Sequence, residues 1–215
     1  MKLPEKFYPR LVMTIVGVML CSMAVGFFKQ SSFGVDPFQC FAQGVWGHFF
    51  ESRISYGSYY VILSALMLVI DLFWDRHYIG IATFINMFLT GYVVDFSTNL
   101  IGKLCPQPGM VIRIVFLLIG IVAMCFSSSL YMTSDLGVSV YDAMPIIFSN
   151  KSKKPFKFCR IGSDLICVTI GTICVLLGAV GAGLPGLGTI ITAFFMGPLV
   201  DFFNRTFSRP LLEKM

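Results

Sequence analysis

Asp36-Pro37, Gln39 and Gln43 set an acid and two amides into an otherwise apolar chain, and Tyr141-Asp142 does the same further on. Asp36-Pro37 has the form of a helix start: the carboxylate accepts free N–H groups at the N-cap, and proline suits the first turn. A half-helix beginning there points its positive end inward, a natural seat for an anion or carboxylate. Asp36 is then either a cap whose own charge fills that seat, or a ligand- or proton-binding group. Gln39 and Gln43 share one helix face by their i, i+4 spacing. Buried amides are costly unless paired, so this face looks into the protein, as glue between helices or as a cavity lining. In a membrane segment an acid such as Asp142 marks a functional position. Asp36 and Asp142 are the expected carriers of any proton coupling, with His48 and Glu51 nearer a boundary.

Thr83 with Asn86, and Thr189 with Thr192, present hydroxyl or amide groups on one face of two later segments. They read as solute-binding cavity liners, while Gly91 and Gly197 in the same segments let helices approach closely. Asp95 and Asp201 close segments at the side where Arg10 and Arg113 open others. Salt bridges among these four would be a static anchor or a gate. Five basic residues within 151–160 orient the chain and offer contact to anionic lipid.

The elements that must position these groups are membrane helices. The chain of 215 residues is 56% hydrophobic and 13% charged, with a mean hydropathy of +0.81; soluble domains carry roughly 25% charged residues. Stretches 9–28, 56–74, 79–97, 110–131, 161–180 and 186–204 are each about long enough to cross a hydrocarbon core of ~30 Å. The first resembles a secretory signal, but no small-x-small cleavage site follows it. The net charge of +5 hugs segment ends, which fits topology and not nucleic-acid binding. The seven cysteines show no metal spacing and serve as small hydrophobes. No ATP-binding loop, acid–base pair, metal-ligand set or nucleophile set stands out, so neither an enzyme nor a cofactor is expected.

The chain also repeats itself. Arg10, Gly17, Ser31, Gly34 and Val35 return as Arg113, Gly120, Ser134, Gly137 and Val138. Gly80, Thr83, Gly91, Val94, Asp95 and Phe96 return as Gly186, Thr189, Gly197, Val200, Asp201 and Phe202. Residues 1–105 and 106–215 are therefore two membrane repeats of one compact domain. The short segments 36–50 and 138–150 decide the architecture. If both cross, there are eight passes and parallel halves; if both dip in and return, there are six passes and inverted halves. Lys and Arg divide 14 to 2 across the membrane for eight passes and 12 to 4 for six, which favours eight. Both arrangements place the two chain ends inside. Fifteen helical residues reach only about 22 Å, so each short segment is a broken pass, part extended and part helical. Broken passes at matching places in two halves point to a binding site.

The Gly34–Phe38 element, Gly-Val-Asp-Pro-Phe, and its weaker copy Gly137–Tyr141 resemble those of the YczE/YitT-like bacterial membrane proteins, as do the Gly80–Asp95 and Gly186–Asp201 elements. The resemblance spans roughly residues 10–205 and implies a multi-pass protein of the bacterial cytoplasmic membrane. In the second copy Ser139-Val140 replaces Asp36-Pro37. Together these readings give an all-α membrane protein of two four-segment halves, expected to move a small polar or anionic solute by alternating access. The rival expectation is a non-transporting scaffold for a biosynthetic or regulatory partner. Self-association stays open.

Overall fold

The computed structural model describes residues 6–75, 78–154, 156–178 and 185–214; Lys2 and Arg76, used in the charge count, lie outside them. Every regular element among the described residues is helical: α1 (Phe7–Ser31), α2 (Pro37–Phe49), α3 (Tyr56–Trp74), α4 (Ile81–Leu104), α5 (Met110–Thr133), α6 (Val140–Ser152), α7 (Phe156–Leu176), α8 (Leu187–Phe203), a π-helical turn at Asn204–Ser208 and α9 (Arg209–Lys214). Caps set several starts. Asp36 accepts the Gln39 N–H at 3.1 Å with Pro37 in the first turn, and Ser139 accepts the Asp142 N–H at 3.1 Å. Gly34 and Gly137, at φ +108° and +109°, turn the chain ahead of α2 and α6. Only glycine adopts that backbone without strain.

Length separates two kinds of helix. Helices α1, α3, α4, α5 and Phe158–Leu176 of α7 are long and apolar enough to cross a membrane. A sixth span follows if Leu187–Met196 and Pro198–Lys214, bent by 51°, count as one. At 13 residues each, α2 and α6 reach only about 20 Å and do not qualify. This is a multi-pass helical membrane protein with five or six helices of spanning length among the described residues, and the expected eight crossings are not shown.

Helix directions bear on the same arrangement. Arg10, opening α1, donates to the carbonyl of Ser134 just past α5 at 2.9 Å; Arg113, opening α5, donates to the carbonyl of Ser31 at the end of α1 at 2.8 Å. These helices are antiparallel. Ser97 and Gln30 instead tie the C-terminal halves of α1 and α4 together, Ser97 donating to the Ser22 carbonyl (3.3 Å) and Gln30 to the Cys105 carbonyl (2.5 Å). Those two are parallel. Eight alternating crossings require the reverse in both cases. Arg113, used in the count of basic residues, takes part in helix packing: besides Ser31 it lies 5.3 Å over the Phe33 ring.

Helix α1 runs through the middle of the core, with Val25 and Phe28 buried against Leu117 and Met124 of α5, Val94 of α4 and Tyr60 of α3. Close approach depends on Gly17, where an added Cβ would lie 3.0 Å from the Ser127 carbonyl. Lys6 donates to the carbonyls of Leu212 (2.9 Å) and Glu213 (2.7 Å), bringing both chain ends to one end of the bundle.

Candidate functional site

The extended stretches before α2 and α6 are each held by the opposite part of the chain. Thr189, in the first turn of α8, donates to the carbonyl of Val35 at 2.6 Å and accepts the Gly186 N–H at 3.1 Å. Thr83, in the first turn of α4, donates to the carbonyl of Val138 at 2.6 Å and accepts the Gly80 N–H at 3.1 Å. Backbone bonds complete both clasps, Gly188 N–H to Phe33 (2.7 Å) and Ala82 N–H to Leu136 (3.0 Å). Non-helical backbone at membrane depth survives only where protein surrounds and satisfies it, and these clasps do that. Thr83 and Thr189 are buried, and their hydroxyls are committed to backbone partners. Thr192 turns back onto the Gly188 and Thr189 carbonyls of its own helix, both at 3.0 Å. Asn86 is half-buried beside the α4 clasp.

Between the clasps, Phe38 of α2 and Tyr141 of α6 stack with centroids 4.4 Å apart and planes at 15°. The Tyr141 hydroxyl donates to Asp164 of α7, and Arg160 of α7 lies 4.7 Å over the Tyr141 ring. Arg160 also pairs with Asp142, and its Nε lies 3.3 Å from Asp164. Asp142 accepts a further hydrogen bond from the Ser139 hydroxyl at 2.7 Å. A guanidinium between two carboxylates, seated on an aromatic face, uses the fork geometry and π-stacking that arginine alone offers. The sequence groups Arg160 with the basic residues of 151–160 that orient the chain. The usable signal was Asp164, four residues on and inside an apolar run.

The remaining expected residues each have partners within the protein. Gln39 accepts from Gln43 (3.1 Å) and from the Tyr56 hydroxyl (2.6 Å), a buried polar seam joining α2 to α3. Asp36 is the cap described above. Asp95 accepts the Gly57 N–H at 2.8 Å, and Asp201 pairs with Arg205 at 2.8 Å. The four-residue salt-bridge set is therefore not formed; Arg10 instead binds the Ser134 carbonyl and lies 3.8 Å from Asp135. Asp71 of α3 was missed entirely. It is fully buried, and neither carboxylate oxygen has a hydrogen-bond partner among the described residues.

An apolar groove of about 640 Å³ opens beside this centre, between α3, α6 and α7. Leu63, Met67 and Trp74 form one wall, Pro145 and Phe148 another, and the Phe38–Tyr141 pair also borders it. Of the residues expected to bind solute, only Tyr141 reaches it. The corresponding contact between α2 and α7 is shut: a Cβ on Gly44 would lie 3.0 Å from the Gly171 Cα, and one on Gly171 would lie 2.5 Å from the Cys40 carbonyl.

Comparison with known proteins gives a consistent picture. The family described as a family of unknown function (DUF6198) matches residues 8–205. The uncharacterized membrane protein YczE of Bacillus subtilis is 26% identical over 81% of this chain and 75% of its own length. An uncharacterized protein of Haemophilus influenzae is 24% identical over 94% of this chain and 86% of its own. The uncharacterized protein YyaS of Bacillus subtilis is 21% identical over 93% and 94%. No solved structure matches.

Proposed function

The chain belongs to the DUF6198 family, and we propose that it transports a small polar or anionic solute across the bacterial cytoplasmic membrane by alternating access. In this reading the two halves are an inverted repeat with six crossings, and α2 and α6 are re-entrant half-helices meeting at the Phe38–Tyr141 stack. The antiparallel α1/α5 pair and the matching clasps at Thr83 and Thr189 support it. Arg160 is the group that receives an anionic solute, exchanging Asp142 for it.

The observation that carries the reading is the inequality of two equivalent contacts. Helix α6 leaves a groove against α3, while α2 closes on α7 through Gly44 and Gly171. One molecule thus holds the open and the shut version of the same joint, as an alternating machine requires. Spin labels at positions 70 and 148, on opposite walls of the groove, test this by pulsed distance measurement. Two distance populations are expected, with Gly171→Ala shifting weight to the shorter one because its methyl group forces the α2–α7 joint apart. A single distribution unmoved by Gly171→Ala would leave a static scaffold as the better description.

A further inference from the structure

The groove between α3, α6 and α7 has a basic mouth as well as apolar walls. Lys154 lines it, and the Lys151 ammonium lies 5.9 Å over the ring of Trp74, another lining residue. The Ser149 hydroxyl donates to the Lys154 carbonyl at 2.7 Å and fixes the turn that carries these lysines. Neither lysine forms an ion pair with a carboxylate among the described residues. Below the mouth the walls run through Met67, Phe148 and Ile166 towards Tyr141. An apolar groove with two cations at its edge, neither paired with a carboxylate among the described residues, complements an amphiphile with an apolar tail and an anionic head. Basic pockets between membrane helices bind anionic lipid headgroups for this reason.

We propose that the groove holds one acyl chain of an anionic phospholipid, with the headgroup phosphate between Lys151 and Lys154. This rests on the groove alone and does not require transport. The occupant is distinguished from ordinary surrounding lipid by its charge selectivity.

The test uses the full chain in vesicles containing phosphatidylglycerol or phosphatidylcholine with brominated acyl chains. Quenching of Trp74 fluorescence is read as the difference from a Trp74→Phe background. Half-quenching is expected at about fivefold or more lower mole fraction for phosphatidylglycerol than for phosphatidylcholine, given the attraction of two lysines for an anionic headgroup. The double variant Lys151→Gln/Lys154→Gln should erase that preference. Gly162→Leu provides a second arm, because Gly162 lines the groove and a Cβ there meets nothing within 4 Å. It fills the slot without disturbing the helix, and should weaken phosphatidylglycerol quenching severalfold at unchanged melting temperature. Equal curves for the two lipids, or a preference that survives Gly162→Leu, would overturn the assignment.

Discussion

Phe38 and Tyr141 face each other at 4.4 Å, and they occupy the same place, 103 residues apart, in the two repeated segments. Each aromatic follows the N-cap of a short helix and meets its counterpart where those helices begin. Truncating a buried Phe costs about 3–5 kcal/mol, so Phe38→Ala should lower the melting temperature markedly. Tyr141→Phe keeps the stack and removes only the hydrogen bond to Asp164, and its loss should be near 1–3 kcal/mol. A double-mutant cycle to Ala should recover about 0.5–1.5 kcal/mol of coupling between the rings.

The two clasps are chemically alike, so they should fail alike. Thr83→Val and Thr189→Val each preserve shape while leaving a Gly N–H and a carbonyl unpaired. Each should cost about 1–3 kcal/mol, and the two losses should agree to within roughly 0.5 kcal/mol when unfolding is followed in detergent. A large effect at one position and none at the other would argue against their equivalence.

Removal of Arg160 exposes two acids to each other. Arg160→Gln should destabilise by about 1–3 kcal/mol, because the partly buried carboxylates lose their charged hydrogen-bond partner. Adding Asp142→Asn should restore part of that loss, because one uncompensated carboxylate is gone. Arg160→Lys should rescue poorly, since a point charge cannot serve Asp142, Asp164 and the Tyr141 face together. Thermal unfolding of the three variants in one detergent decides the order.

Asp71 should behave in the opposite way. A fully buried carboxylate with both oxygens unpartnered among the described residues opposes its own charge. Asp71→Asn should therefore leave the fold at least as stable as the parent, whereas Asp71→Lys should prevent accumulation in the membrane. If Asp71→Asn unfolds the protein, the carboxylate makes an interaction essential to the fold.

Sequence showed the parts better than their orientation. The long apolar runs became α1, α3, α4, α5 and α7, and Asp36-Pro37 became the start of α2, because local propensity and capping act within one turn. The direction of α5 was not legible that way. It depends on Arg10 meeting Ser134 and Arg113 meeting Ser31, contacts whose partners are distant in sequence. Thr83 and Thr189 stand out in the sequence for their spacing, and their hydroxyls bond to backbone carbonyls distant in sequence. A hydroxyl facing lipid-depth backbone satisfies whichever orphan acceptor lies nearest, and sequence does not name that neighbour. Asp71 left no pattern, being a lone acid near a helix end.

The clasp of Val35 by Thr189 joins residues 154 positions apart. On the ribosome, the first bend of the chain must therefore wait, its carbonyl unanswered, until nearly the whole polypeptide has emerged. Neither stretch, 1–105 or 106–215, carries the latch for its own bend. A gene cut between them should give two fragments that accumulate only when made together.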